Sequence, residues 1–450
     1  MNYDVSAGFS RVNITPPMGI DISGYYVKRI ADGVLDELEI NTIAIRKDGT
    51  TVLLMAVDTM GMSKAYIDSV KEYITAATNI PAEAIFIHST HSHTTGRLGN
   101  GDPFTEQESE YMQSVRRAGV NAAILAINDL KPAKMGWAIG EAKNVAFNRR
   151  YLMKDGSTKT NPGVNNPDIV KSIGLLDERV NVLRFTREDG SNLVLANFGN
   201  HPDTIGGTKI SADWPGFTRR IFEKAIDNTK CVFFNGAQGD INHVNVAPKG
   251  GDLNDMFIDF DDVSRGYGHA RHCGNVVAAA IMQVYDKVCY SDVDSVKVMQ
   301  RFIEVPANKP LPEEMEEAHY INQLHLEGKD DQLPYKGMML TTMVADAARK
   351  VRLENAPDTF PLLLSTVKIG NVALFGIPGE PFTGVGMGLK EAEGWDVVLP
   401  CCNTNAKDGY FPMQDSYDEG GYEAKSSSFK GGVAELIIQE GKKLLDDLRK

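Results

Sequence analysis

The sequence predicts an α/β protein in which mixed β-sheets are flanked by helices. Apolar runs of strand length alternate with amphipathic stretches of helical period along most of the chain. Two pairs of predicted strands are separated by the turn sequences Asp189-Gly190 and Gly370-Asn371, which indicate β-hairpins. No repeat of fixed period is visible, and no stretch rich in Pro, Ser and Gly divides the chain. We therefore expect residues 1–450 to form a single domain.

The elements of the first half follow from their apolar patterns. Residues 51–58 (TVLLMAVD) and 84–89 (AIFIHS) are predicted to be buried strands, because each is a short apolar run. Residues 64–78, between them, have the amphipathic pattern of a helix. A long helix is predicted over 105–130, with Thr105 as its capping residue.

The second half contains two predicted hairpins with another strand between them. The hairpins cover residues 180–201 and 362–380, and residues 230–236 (KCVFFNG) form the single strand. Residues 308–358 are more charged and more helical than their surroundings, so we interpret them as a helical insertion or lid. An amphipathic helix is predicted over 434–450, with lysines near its end that suit the helix dipole.

Composition argues against several classes of partner. The net charge is -13 and no basic cluster is present, which argues against binding to nucleic acid or to an anionic membrane surface. The N-terminus lacks the pattern of a signal peptide, and no apolar run reaches the roughly 18 residues of a membrane helix. We expect a cytoplasmic protein with a small-molecule substrate and no stable membrane association. The sequence does not indicate an oligomeric state.

A group of histidines follows the predicted strand 84–89. His91 and His93 are two residues apart, so in an extended chain they point to the same side, whereas His88 points to the other. His201 ends another strand and is followed by a proline, which keeps it out of helical geometry. A polar loop whose histidines only bond to the backbone remains the alternative for each of them.

Two further loops carry candidate polar residues. Residues 234–243 contain glycines that would let backbone N–H groups approach a ligand, and an ordinary tight turn is the alternative. Glu380 lies between prolines, which stiffen its backbone. The five cysteines include no CxxC pair, so any metal must use nitrogen and oxygen ligands. Catalytic zinc takes about three protein ligands, and His91, His201 and Glu380 supply that number, although no HExxH motif is present.

The order of these motifs resembles that of the neutral (alkaline, non-lysosomal) ceramidases over most of the chain. The matching segments are Asn13-Ile14-Thr15-Pro16-Pro17 through Gly24-Tyr25, Thr90-His91-Ser92-His93, Asn148-Arg149, His201 with Ile210-Ser211-Ala212-Asp213, Pro378-Gly379-Glu380 with Thr383, and Tyr410 with Tyr422-Glu423-Ala424.

The resemblance implies a zinc amidase of the kind that splits N-acylsphingosine. It implies one Zn²⁺ per chain, with the ligands His91, His201, Glu380 and Tyr410. It also implies that His93, Arg149 and Tyr422 line the reaction site. Zinc is not required by the residue types alone, because two histidines, a carboxylate and a phenolate also suit manganese or iron.

The chain departs from the ceramidase pattern in two places. The element that carries the family's serine nucleophile reads Gly239-Asp240-Ile241-Asn242-His243, which puts Asn242 at the serine position. An amide side chain is not a useful nucleophile. The given sequence stops near Lys450, without room for the family's C-terminal β-sandwich.

These departures lead to the hypothesis of a zinc-dependent hydrolase that uses metal-activated water, acting on an amide (N-acyl) bond in a small soluble substrate. His93 and Tyr422 are predicted to transfer protons and stabilise the oxyanion. Asp240 or Asp213 is predicted to orient a ligand histidine, and Arg149 to bind an anionic substrate group in bidentate fashion.

Three alternatives to amide hydrolysis remain open. An ester or lactone hydrolase would use the same metal chemistry. A non-catalytic binding protein would keep the metal pocket without turnover. A phosphoryl-transfer enzyme would normally need two metals and more carboxylates than these motifs supply.

Overall fold

The structure is a computed structural model that describes residues 3–99, 104–248, 257–258 and 264–450. The helices are, in chain order, Lys64–Thr78 (α1), Glu106–Asn128 (α2), Asp213–Ala225 (α3), Tyr267–Tyr285 (α4), Met315–Leu326 (α5), Gly337–Leu353 (α6), Thr383–Lys390 (α7), Gln414–Glu419 (α8), Tyr422–Ser426 (α9) and Val433–Arg449 (α10).

The strands of the first half are Val5–Asn13 (β1), Gly33–Val34 (β2), Glu39–Lys47 (β3), Thr50–Val57 (β4), Ile85–Ser89 (β5), Lys131–Glu141 (β6), Phe147–Asn148 (β7), Arg150–Met153 (β8), Thr158–Thr160 (β9), Ile169–Ile173 (β10), Arg179–Arg187 (β11) and Asn192–Phe198 (β12). The remaining strands are Lys209–Ile210 (β13), Thr229–Asn235 (β14), Ile241–Asn242 (β15), Phe257–Ile258 (β16), Ser264–Arg265 (β17), Cys289–Ser291 (β18), Val296–Pro306 (β19), Thr359–Ile369 (β20), Val372–Gly376 (β21), Glu380–Pro381 (β22), Val397–Cys401 (β23) and Tyr410–Phe411 (β24).

Two mixed sheets organise these elements. The larger has nine strands in the order β14-β12-β11-β6-β1-β3-β4-β5, with β18 paired to β6. Its pairs are antiparallel except β12 with β14 and β4 with β5, which are parallel. The smaller sheet has the order β19-β20-β21-β23, and its last pair is parallel. The predicted mixed α/β fold is therefore confirmed.

The two sheets pack face to face between layers of helices. Leu193 and Leu195 of β12 belong to a core cluster that also contains Leu374 of the smaller sheet. Val194 and Phe198 point the other way, into a core shared with α3 and α4. The alternation arises because successive side chains of a strand point to opposite faces. The outer face of the smaller sheet is covered by α7 and α10.

Most elements lie where the sequence predicts them. The helix predicted over 64–78 is α1, and the capping residue Thr105 forms a reciprocal capping box with Glu108 at the start of α2. The turns at 189–190 and 370–371 join antiparallel strands. Segment 308–358 contains α5 and α6 and connects β19 to β20, whose ends pair at Pro306 and Thr359.

Within the described parts of the chain, no helix is both long enough and apolar enough to cross a membrane.

Candidate metal centre and active site

The two edge strands of the larger sheet, β5 and β14, lie next to each other beneath the site. His88, at the end of β5, joins them because its Nε2 accepts a hydrogen bond of 2.8 Å from the backbone N–H of Asn235. Its Nδ1 therefore carries the proton, which it donates over 2.7 Å to the carbonyl of Cys402, just after β23. Burial lowers the pKa of His88 to about 3. His88 is thus a neutral, structural residue where three strands end.

Asn235, at the end of β14, ties together the two loops that carry the candidate metal ligands. Its Nδ2 donates to the carbonyls of Thr90, at 3.2 Å, and Asn200, at 3.0 Å. Its Oδ1 accepts from the backbone N–H of Asn200 at 3.2 Å. Because these two residues directly precede His91 and His201, one buried amide side chain fixes the distance between the histidine loops.

His91 and His201 are both buried, and their rings are oriented in the same way. The Nδ1 of His91 lies 2.5 Å from the carbonyl of Met60. The Nδ1 of His201 lies 2.9 Å and 3.1 Å from the carbonyls of Gln238 and Ile241. A carbonyl oxygen only accepts hydrogen bonds, so each Nδ1 carries the proton and each Nε2 keeps its lone pair. Both rings therefore present a ligand atom to the interior of the site.

Glu380 and Tyr410 reach the same point from the side of the smaller sheet. They are paired residues of the short parallel strands β22 and β24. The Oε2 of Glu380 lies 3.2 Å from the Nε2 of His91 and 3.1 Å from that of His201. Burial alone would raise the pKa of Glu380, whereas positive charge on the neighbouring imidazoles would hold it well below its usual range. The Tyr410 ring stacks on the His201 ring at 6.4 Å between centroids.

The contact between the carboxylate and the imidazoles suits a cation. The Oε2 of Glu380 and the Nε2 of His201 are buried without hydrogen-bond partners. With protons on the Nδ1 atoms, lone pairs face a carboxylate oxygen, and this arrangement is costly unless a positive charge lies between them. Ligand atoms of His91, His93 and His201 also lie within 4.8 Å of one another, close enough to hold a metal ion. The nitrogen and oxygen donors fit zinc.

His93 lies beside His91, but not through the extended backbone that the sequence predicts. The strand ends at Ser89, and His91 has a left-handed φ of 75°, so the chain is not extended between the two histidines. Their Nε2 atoms are nevertheless 3.2 Å apart. Gly24, at φ 119°, packs on His93, where an added Cβ would lie 2.7 Å from the Cβ of the histidine. Burial, together with the nearby His91, holds the pKa of His93 well below its ordinary value.

Arg149 is a buried residue that bonds mainly to the protein itself. Its Nε donates to Glu423 at 2.7 Å, and its Nη2 donates to the Gly239 carbonyl at 2.8 Å and to the Tyr410 hydroxyl oxygen at 3.0 Å. Burial opposes the charge, but Tyr410 and Glu423 raise the pKa of Arg149 above its ordinary value. The Nε–Nη2 edge of the guanidinium is therefore already occupied within the protein. Arg149 instead places a positive charge beside Tyr410.

Tyr422 begins α9 and faces the same space. Its ring lies 5.6 Å from the Tyr410 ring, edge to face. Burial, with Tyr26 and Tyr410 nearby, raises its pKa well above the ordinary value. Its hydroxyl therefore keeps its proton at neutral pH and is able to donate a hydrogen bond.

Asp240 and Asp213 do not orient the ligand histidines. The Oδ1 of Asp240 accepts from the backbone N–H and the hydroxyl of Thr383, at 2.7 Å and 2.8 Å. Asp213 accepts from the backbone N–H groups of Ile205 and Trp214. The predicted orienting role of a carboxylate is thus corrected, because backbone carbonyls already occupy both Nδ1 atoms.

Asn242 is held in place beside the site. Its Nδ2 donates to the Oδ1 of Asn161 at 3.1 Å, and its own Oδ1 accepts from the backbone N–H of Val244 at 3.0 Å. The side chain is fully buried. Both ends of the amide are therefore engaged within the protein.

The cluster opens into a cavity of about 740 Å³ whose far side is formed by α6. Ala345, Ala348 and Arg352 of that helix face His91, His93 and Glu380 across this space. A smaller adjoining cavity, of about 180 Å³, is lined by Tyr25, Arg149 and Tyr422 together with Met338 and Leu340.

Fold and site together define an α/β protein with a candidate metal centre between two sheets. The fold is that of the neutral ceramidases. Neutral ceramidase from Pseudomonas aeruginosa matches 99% of this chain and 74% of its own, with a TM-score of 0.75 and 17% identity. A ceramidase complexed with C2 matches 99% of this chain and 75% of its own, with a TM-score of 0.74 and 16% identity. Neither a protein-family model nor a curated protein matches the sequence.

Several residues of the site escaped the sequence argument. Asn235 lies at the end of a predicted strand but belongs to no metal-binding or catalytic motif, and Glu423 belongs to the ceramidase-like pattern only as the residue after Tyr422. Asp203, two residues after His201, lines the smaller cavity and lies 3.2 Å from the Nδ1 of His243. The position of Asp203 two residues after the candidate ligand His201 is the one sequence feature that indicates it.

Proposed function

We propose that this protein is a metal-dependent hydrolase that cleaves an amide (N-acyl) bond in a small molecule. One observation carries the proposal: His91, His201 and Glu380 converge with their ligand atoms turned inwards, and the Nε2 of His201 and the Oε2 of Glu380 have no hydrogen-bond partner. Backbone carbonyls that accept from the Nδ1 atoms of both histidines are a usual support of metal-bound imidazole. Such an arrangement is unstable as a purely structural feature.

Zinc is the metal we propose, with His91, His201, Glu380 and Tyr410 as its ligands. The donor set combines two imidazoles, whose Nδ1 atoms bond to backbone carbonyls, with a carboxylate, which is typical of hydrolytic zinc sites. Burial raises the pKa of Tyr410 well above its ordinary value, and Arg149, which donates to the Tyr410 oxygen, acts in the opposite direction and so lowers the cost of the phenolate form that a metal ligand requires. Bound zinc would activate a water molecule and polarise the substrate carbonyl.

His93 is the proposed general base. Its ring is neutral because burial disfavours the charged form, and its Nε2 faces the cluster. A neutral imidazole at this position takes the proton of the attacking water and returns it to the leaving nitrogen. Gly24 holds the ring in place by its close packing.

Tyr422 is the proposed oxyanion donor. Its hydroxyl stays protonated, since burial raises its pKa, and it lines the cavity beside Tyr410. A hydrogen bond from a pre-oriented hydroxyl stabilises the charge that develops on the carbonyl oxygen.

A serine nucleophile has no place in this scheme. Asn242 holds its buried amide between Asn161 and Val244, so it is part of the scaffold. The bond type is supported by the ceramidase fold, since ceramidases act on an N-acyl bond, and the cavity of about 740 Å³ leaves room for a small acylated amine.

The test combines metal analysis with turnover. Untagged protein should contain about one zinc per chain by plasma mass spectrometry and should release amines from short N-acyl substrates. Chelation should abolish this turnover, and added Zn²⁺ should restore it. The variant Asn242→Ser should leave the rate unchanged, because the serine position is not used.

Other outcomes would favour the alternatives. Turnover of esters or lactones without turnover of amides would point to an esterase with the same metal. Bound zinc with no turnover of any acyl substrate would favour a binding protein. Protein that neither holds zinc nor takes it up would overturn the proposal.

A further inference from the structure

Lys407 lies in the loop between β23 and β24 and lines the same cavity as His91, His93 and Glu380. Its side chain is only partly buried. The stem of the side chain packs against Gly61, where an added Cβ would lie only 2.2 Å from the lysine Cδ. The Lys407 side chain therefore fills a groove that exists because residue 61 is glycine, and a larger residue at position 61 would displace the lysine side chain.

The ammonium group of Lys407 has no carboxylate partner. Among the residues that the structure describes, no carboxylate oxygen lies within 4.0 Å of its Nζ, and its polar contact is the thioether sulfur of Met60. Burial lowers the pKa of Lys407, with Glu380 acting in the opposite direction. A partly buried cation without an anion is costly, because the lost hydration is not replaced.

The other charged groups of the cavity do not supply that anion. Glu380 is engaged with His91 and His201. Asp408 lines the cavity, but within the described residues its carboxyl makes no ion pair, and burial raises its pKa to about 6. Arg352 adds a second positive charge on the α6 side, where its Nη2 donates to the Ser428 hydroxyl.

We propose that Lys407 binds a carboxylate of the substrate, so that the enzyme acts on N-acyl compounds such as N-acyl amino acids. This inference rests on the proposed function, which it deepens by assigning a substrate class. Lys407 suits this role better than Arg149, whose Nε and Nη2 already bond to Glu423, Gly239 and Tyr410.

The experiment compares N-acetylglycine with its neutral counterpart, N-acetylglycinamide. Dissociation constants are measured by calorimetry on metal-loaded protein, and kcat and KM are measured for both compounds. The variants are Lys407→Met, which keeps the stem, Lys407→Arg, which keeps the charge, and Lys154→Met as a control. Lys154 is exposed, pairs with Asp168 and lines neither of the two cavities described above.

The wild type should bind the carboxylate compound about 10 to 100 times more tightly than the amide, as expected for a charge-assisted hydrogen bond. Lys407→Met should remove this preference through KM, with kcat changed much less. Lys407→Arg should retain part of it, and Lys154→Met should behave like the wild type.

The two proposals can fail separately. Equal binding of the two compounds by the wild type, or equal losses for both in Lys407→Met, would overturn the assignment of Lys407 even if amides are hydrolysed. A lysine-dependent preference in binding without any turnover would uphold the anion site and contradict the hydrolase.

Discussion

The site has two regions that are built in different ways. The floor, made of His91, His201, Glu380 and Tyr410, is buried, and its two histidines are fixed by backbone carbonyls. The wall is the cavity-lining face of α6, which belongs to a helical pair with a small core of its own. The floor depends on strand ends of both sheets, whereas the wall is supplied by a segment between two paired strands. On the proposed function, the floor would determine the chemistry and the wall would determine what can enter.

The largest expected effect comes from removing a floor ligand. Glu380→Ala leaves the two histidines without their carboxylate, so we expect loss of bound zinc and of all metal-dependent turnover, measured by plasma mass spectrometry and by the N-acyl assay. Glu141→Ala, at an exposed position of β6, is the control and should keep both. Full zinc content in Glu380→Ala would show that the floor is not the metal site.

The next effect concerns the residue that spaces the two histidine loops. Asn235→Ala removes hydrogen bonds to Thr90 and Asn200, so we expect about a 10- to 100-fold loss of zinc affinity, as for other supporting contacts. The measurement is a competition titration against a zinc chelator. Asn121→Ala, exposed on α2, serves as the control. Unchanged affinity in Asn235→Ala would mean that the loops hold their spacing without it.

A smaller effect is expected when the wall alone is altered. Ala348→Leu on α6 places a larger side chain in the cavity, so we expect KM to rise by about 10-fold while zinc content stays the same. Ala76→Leu, exposed on α1, is the matched control. If Ala348→Leu also lost zinc, floor and wall would be coupled and the comparison between them would fail.

The smallest expected effect is on stability in acid and concerns His88. Its pKa is about 3 when folded and about 6.5 when unfolded, so between these values the unfolded chain binds the extra proton. This contribution to stability is complete above pH 6.5 and is lost as the pH falls towards 3, by at most about 1.4 kcal/mol per pH unit.

Urea unfolding between pH 7 and 5 checks this contribution. His88→Gln should show a shallower loss of unfolding free energy with falling pH than the wild type, even if its stability is lower throughout. His319→Gln, at an exposed position of α5, should keep the wild-type slope. Equal slopes in all three proteins would show that His88 does not titrate as described.

The sequence predicted the floor better than the contacts that support it. His91, His201, Glu380 and Tyr410 were named from motifs and from the resemblance, and the structure brings them together. The hydrogen bonds that orient the two histidines could not be predicted from the sequence. They go to the backbone carbonyls of Met60 and Gln238, and since every residue has a backbone carbonyl, the residue type gives no indication of such a contact. The orienting role expected of Asp240 was wrong for this reason.

The fold was predictable because its strands and helices have strong periodic patterns, while the long-range contacts of single side chains were not. The pairing of Arg149 with Glu423 joins residues 274 positions apart, and the groove of Lys407 beside Gly61 depends on how the two sheets pack. The extended geometry assumed for His91 and His93 failed locally, since a left-handed residue interrupts it. The loop of His93 is nevertheless tied to that of His201, because the backbone N–H of His93 donates to the carbonyl of Pro202.

The central claim is that one zinc ion binds between the two sheets. Anomalous diffraction measured on both sides of the zinc absorption edge, from crystals grown with Zn²⁺, tests it most directly. We predict one strong peak bounded by the Nε2 atoms of His91 and His201, the carboxylate of Glu380 and the oxygen of Tyr410. No peak at this position, or a peak only at surface residues, would contradict the account.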